Sequence, residues 1–407
     1  MSEWPIVRLE SLGAAEKRAF SMGPFGSALT ARDYVDDGVP LVRGVNLGRS
    51  LFYDGGFVYI TDRKADEFPG ANLSAGDLVL AHRGTIGQVS MIPKDSKHPR
   101  YVLSSSLVRA RLNPSIAVPE FYYYWLRSPA GQREILQHVS TVGVPGLVQP
   151  VTTVKSFRVP RPSLDEQQAI AQMLGALDGK IAVNERIAAT VDELCEALFV
   201  QLVKSVNAQG ELKLGDVAAV NTHQVKPSSD GSLRYVDISS VGVGFYEWPA
   251  LTPWDEAPGR ARRKARVGDV IWSTVRPNRR SHALVMDDDP HLVFSTGLAV
   301  LSPVQVGPAF LYEAARTAAF QTYLESVAEG SAYPAVRAEK FKEAPIPYVP
   351  DETRVRFEST AMHLRQRAHS AAVESRALAA LRDTLLPQLM SGKIRVRDAE
   401  KTVEEAV

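Results

Sequence analysis

Arg276-Pro277-Asn278-Arg279-Arg280 sets three guanidiniums and a carboxamide around one proline. These residue types suit nucleic-acid reading. Arginine and asparagine offer paired hydrogen bonds to base edges and phosphates, and proline fixes the local backbone. Ser273 and Thr274 precede the run and add hydroxyls. A solvated charged loop is the plain alternative. A second cationic run, Arg260, Arg262, Arg263, Lys264 and Arg266, lies upstream. It fits phosphate tracking or surface coverage equally, and its Gly and Pro neighbours point to a loop. Ser331, Tyr333 and Arg337 occupy a later turn-rich stretch and are further candidates.

The N-terminal half holds a weaker version of the same chemistry. His82, Arg83 and Thr85 stand beside Gly84 and Gly87, where a backbone can approach a ligand closely. Arg43 and Asn46 follow an earlier strand candidate, and the loop 141–149 corresponds in order to 328–334. Tyr122, Tyr123, Tyr124 and Trp125 resemble a stacking platform, but their helical spacing favours core packing.

These candidates fall at matching places because the chain repeats itself. Leu73-Ser-Ala-Gly-Asp-Leu-Val-Leu-Ala-His-Arg83 returns as Ala265-Arg-Val-Gly-Asp-Val-Ile-Trp-Ser-Thr-Val-Arg276. Pro150 and Phe157 return as Pro334 and Phe341, and Asp165-Glu166 as Asp351-Glu352. Each repeat opens with short strands and turns and ends in a long amphipathic run. The division expected is a globular domain over 1–163, a helix over 164–206, a second domain over 207–350, a helix over 351–396 and a tail over 397–407. The fold class is α+β.

Leu174, Leu177, Ile181, Leu194 and Leu198 should face Leu378, Leu385 and Leu389 on the second helix. Asn184 would be a polar register mark, and Ser375 and Arg382 interrupt the second stripe. Pro387 should kink or close that helix. Two such helices can form an antiparallel coiled coil relating the halves by a pseudo-two-fold axis, a geometry suited to duplex DNA.

A chain of 407 residues exceeds the usual single core, and its net charge of +1 excludes a generally basic protein. A lone cysteine, Cys195, excludes a disulfide framework. No signal-peptide pattern or long apolar span occurs, so a cytoplasmic protein without membrane contact is expected. No Pro-Pro pair, Gly-x-Gly-x-x-Gly loop or His-Glu-x-x-His motif occurs, and Ser391-Gly392-Lys393 lacks the rest of a phosphate-binding loop. Neither catalytic residues nor a metal site is expected, and the chain reads as a non-enzyme.

The ordered set resembles the specificity subunits of type I restriction-modification systems. The resemblance rests on Gly76-Asp77 with Arg83, Gly268-Asp269 with Arg276-Pro-Asn, the boundaries at Phe157 and Phe341, Asp165-Glu-Gln-Gln-Ala-Ile170, and Leu385-Leu-Pro-Gln-Leu-Met-Ser-Gly-Lys-Ile394. It covers Trp4 to Ile394. It implies two target-recognition domains, each reading half of a bipartite sequence in double-stranded DNA, in a subunit that need not dimerise to gain its second head. The paired helices would hold two modification subunits carrying S-adenosylmethionine for adenine methylation. Separate restriction subunits would supply cleavage driven by ATP and Mg. The competing expectation is a two-headed protein-interaction scaffold without specific DNA binding.

Overall fold

The computed structural model describes residues 4–48, 51–140, 145–206, 210–226, 231–331 and 333–406. Its contacts divide the chain into Met1–Val183 with Ser375–Val407, and Asn184–Glu374. Each unit keeps half of each long helix, a division that the repeat in the sequence does not mark.

In the first unit an antiparallel sheet runs in the order Phe20–Met22, Leu107–Ala110, Leu78–Ala81, Val89–Met91. Leu78-Val-Leu-Ala81 is apolar throughout because both sheet faces are covered. Leu78 and Leu80 enter the core beneath helix Pro119–Arg127, while Val79 and Ala81 pack against a five-stranded sheet. That second sheet contains one parallel pair, Val39–Val42 with Tyr101–Leu103. The first strand, Ile6–Arg8, pairs antiparallel with Arg158–Pro160, so the start of the unit is closed by its end.

The second unit repeats this plan. Its antiparallel sheet runs Ala218–Val220, Leu298–Pro303, Val270–Ser273, His282–Leu284. Val270 and Trp272 face one core and Ile271 the other, as strand alternation requires. Ser232–Val236 and Leu292–Ser295 form the parallel pair, and Glu211–Lys213 closes on Pro345–Pro347.

The repeated Gly-Asp is an anchor of this fold. Gly76 and Gly268 hold φ of 84° and 93°, which a residue with Cβ adopts at a cost. The following carboxylates turn inward and each accept the amide three residues upstream, Ser74 N to Asp77 and Arg266 N to Asp269, both at 2.8 Å. Phe157 and Phe341 are likewise buried at the ends of short helices.

The two long helices are Leu164–Ser205 and Asp351–Met390, and they run antiparallel within each unit. In the first unit Glu166 meets Arg395 at 2.8 Å and Asp178 meets Arg382 at 2.6 Å. In the second, Asn184 donates to Glu374 at 2.8 Å and Asp192 meets Arg365 at 2.6 Å. Leu174, Leu177, Leu378, Leu385 and Leu389 share one core, with Ile181 partly buried beside it. Leu198 is partly buried in the other.

Leu194 is a correction to the expected stripe, for it points outward with 44% of its surface exposed. The buried row is Val191, Cys195, Phe199 and Leu202. Phe199 sets that rotation by packing edge-on against Phe310 and Phe357, at 5.4 and 5.6 Å between ring centres. Pro387 does not close the second helix, which continues to Met390. Only the last turn loses a bond, and Leu385 and Leu389 stay buried on either side. The expected tail is helical over Val396–Ala406, with Val396, Ala399 and Val403 packed on the first core.

Candidate nucleic-acid interface

In the second unit, strand Val270–Ser273 delivers the chain to Arg276. Arg276 and Arg280 both adopt left-handed backbone, φ 53° and 55°, around the short turn Pro277–Arg279. Such conformations are disfavoured for long side chains and persist only where neighbours hold them. Here the holding contacts are visible. Arg276 N donates to Pro334 O at 2.7 Å, Val336 N donates to Thr274 O at 2.8 Å, and Val275 bridges Ala335. Two loops far apart in sequence are thus joined, and the Arg276 guanidinium lies 4.6 Å from the centre of the Tyr333 ring.

Asn278, Arg279, Ser331 and Tyr333 are exposed at this junction, Tyr333 by 70%. The remaining candidates there have partners within the protein. Ser273 is buried and donates to Val275 O, Thr274 donates to Gly297 O, and Arg280 donates to Arg316 O. Arg337 is exposed but paired with Glu329 at 2.9 Å. Ala332, in the middle of the expected loop 328–334, lies outside the described residues.

The middle of the upstream cationic run is corrected from loop to strand, since Ala261–Arg263 is the last strand of the second sheet, while Arg260, Lys264 and Arg266 lie outside it. The strand's outer side is covered by this chain's own segment 223–225, with Gln224 bridging Arg263 and Val225 N donating to Arg262 O at 2.9 Å. Arg262 donates to Ala261 O, and Lys264 Nζ donates to Pro290 O and Leu292 O at 2.5 and 3.2 Å. Burial lowers the pKa of both Arg263 and Lys264.

The first unit brings together the equivalent pair of loops. Arg83 bridges Gly146, and Leu147 N donates to His82 O at 2.9 Å. Arg83 is exposed. Beside it opens a cavity of about 540 Å³ lined by Phe25, His82, Arg83, Leu147, Val148 and Gln149, among others. Residues 141–144 of the expected loop 141–149 lie outside the described residues. His82 itself is buried with Nε2 2.9 Å from Ser105 O, and burial lowers its pKa, so a neutral ring donates there. Thr85 is exposed and donates to Gln88.

Asn46 is fully buried and braces its own loop. It accepts from Arg43 N and donates to Tyr53 O and Gly55 O. Arg43 donates to Gly56 O. These bonds place Asn46 beneath the surface, because an unpaired buried amide is costly. Sequence reasoning missed Phe25, 74% exposed at the cavity mouth. A lone phenylalanine between Pro24 and Gly26 was the available signal. Tyr122, Tyr123, Tyr124 and Trp125 are buried core residues.

Among the described residues no group of three or more His, Cys, Asp or Glu is placed to hold a metal, and no helix is long and apolar enough to cross a membrane.

Residues 47–193 match the family model described as type I restriction modification DNA specificity domain. The type I restriction enzyme MjaVIII specificity subunit of Methanocaldococcus jannaschii is 22% identical over 187 residues, covering 45% of this chain and 41% of that relative. An inferred specificity subunit of the same organism, MjaX, is 25% identical over 164 residues, 40% of this chain and 38% of its own length. The matches thus span about two fifths of these curated relatives. The crystal structure of a type I restriction-modification S subunit from M. genitalium superposes with a TM-score of 0.61 at 17% identity, covering 95% of this chain and 96% of that one. The chain therefore has the fold of a type I restriction-modification S subunit, and its residues 47–193 match the DNA specificity domain of such systems.

Proposed function

We propose that this chain is the DNA-reading specificity subunit of a type I restriction-modification complex. Each unit reads one half of a bipartite target, through Arg83 and its neighbours in the first and through Arg276, Asn278 and Arg279 in the second. The paired helices set the gap and present the chain to two modification subunits, which bind S-adenosylmethionine and methylate adenine. Restriction subunits using ATP and Mg complete the assembly. In this reading the target-recognition domains span 1–163 and 207–350, and the helices form an antiparallel coiled coil about a pseudo-two-fold axis.

One observation carries the reading. In both units a loop leaving the central sheet strand is bonded to a second, distant loop, Arg83 to Gly146 and Val275 to Ala335. The framework is shared while the exposed side chains differ, as two heads with two specificities require. Selection from random duplexes, using the full chain with its modification partners, tests it. Two short fixed blocks separated by a constant unread gap are expected. Failure to enrich any sequence overturns the proposal and favours the protein-interaction scaffold.

A further inference from the structure

We propose that Arg276, whose guanidinium lies over the Tyr333 ring, reads a guanine in the half-site of the second unit, with Tyr333 as its positioning residue. This rests on the DNA-reading function proposed above and names the residue and the base class. A guanidinium stacked on a tyrosine face keeps its planar fork in one orientation while its N–H groups stay open. Among the described residues no hydrogen bond is made by the Arg276 side chain, unlike those of Arg280, Arg262 and Arg337. Its ring partner is 70% exposed and Arg276 itself is half-buried, so the pair lies at the surface.

The backbone adds to this placement. Arg276 sits in left-handed conformation, locked between Pro277 and the bond from its amide to Pro334 O. Phosphate contacts need charge and tolerate a mobile side chain. A fixed planar fork suits a planar double acceptor, and the major-groove edge of guanine supplies one in O6 and N7. Arg279, exposed next to the pair and unstacked, is the better phosphate partner.

The test measures binding of the full chain, alone and with its modification partners, to its selected duplex. One guanine of the second unit's half-site is replaced in turn by 7-deazaguanine. One position should weaken wild-type binding about tenfold or more and leave R276A unchanged, while R276A tolerates any base pair there. Y333F should keep discrimination at that position and Y333A should lose it, with thermal melts of all variants compared to the wild type. A half-site in which no guanine couples to Arg276, or an R276A variant that weakens all duplexes equally, overturns the assignment and leaves the function standing. Absence of any selected sequence with wild-type chain overturns both.

Discussion

Asp178 on the first long helix meets Arg382 on the second at 2.6 Å, and the same carboxylate accepts the Tyr124 hydroxyl at 2.8 Å. One side chain thus joins both helices to the aromatic helix of the first unit. In the second unit Asp192, Arg316, Glu313 and Arg365 form a larger cluster around Tyr312, with its two guanidiniums 5.0 and 4.7 Å from the ring centre. Both aspartates sit on the first helix, while Arg365 and Arg382 sit on the second. Each of these pairs therefore sets a carboxylate of the first helix against a guanidinium of the second.

Asp178→Ala should therefore destabilise the protein by about 1–3 kcal/mol, because it leaves the buried Tyr124 hydroxyl without its acceptor and Arg382 with Asp383 as its remaining carboxylate. The exchange D178R/R382D should recover part of that loss. Urea unfolding of the two single variants and the double variant checks this. Additive losses would remove the pair from the account.

Leu174 and Leu194 separate the buried face from the outer one. Leu174→Ala should cost about 2–5 kcal/mol, since it empties a fully buried site. Leu194→Ala should stay within about 0.5 kcal/mol, as an exposed helical position does. Equal losses in chemical denaturation would mean that the seam runs through Leu194 after all.

That pair also shows what was legible in the sequence. Long amphipathic periodicity announces helices and partners, and the Gly-Asp repeat announces two similar sheets, because both signals are local. The phase of the seam at Leu194 is different. It depends on Phe199 finding Phe310 and Phe357, which are distant in sequence. The candidate loops divide in the same way. Arg276 and Arg83 stand out by residue type, whereas the Tyr333 platform and the internal bonds of Asn46 and Lys264 come only from tertiary folding. A polar residue near a turn looks alike in sequence whether its donors face solvent or a carbonyl.

His282 gives the second unit an acid-sensitive point beside the turn 276–280. It is fully buried, stacked on Trp272 at 5.3 Å, and its Nδ1 lies 2.5 Å from Arg280 O. A carbonyl only accepts, so Nδ1 carries the proton in the neutral ring, and burial pushes the pKa down to about 4. The unfolded chain, with the ordinary value near 6.5, binds a proton first. Stability from this group is complete above about pH 7 and falls by up to roughly 3 kcal/mol as pH drops from 6.5 toward 4. His282→Asn keeps a donor for Arg280 O and removes the titration. Unfolding measured across that range should show a shallower acid loss in the variant, and identical slopes would exclude His282 as the cause.

Lys264 and Arg279 have the same charge and should behave oppositely on DNA. Lys264 is tied to Pro290 O and Leu292 O, and burial lowers its pKa. Arg279 is exposed on the turn beside Arg276 and, among the described residues, makes no side-chain hydrogen bond. Each cation that neutralises a phosphate releases counterions, so its loss lowers the slope of log affinity against log salt by about one. Arg279→Ala should weaken binding to all duplexes alike and lower that slope by about one. Lys264→Ala should leave the slope unchanged and instead cost about 1–2 kcal/mol of stability through two vacated carbonyls. Salt titrations of the full chain on its selected duplex and on an unrelated one distinguish them. A slope that falls with Lys264→Ala and holds with Arg279→Ala would move the phosphate track from the turn to the sheet edge.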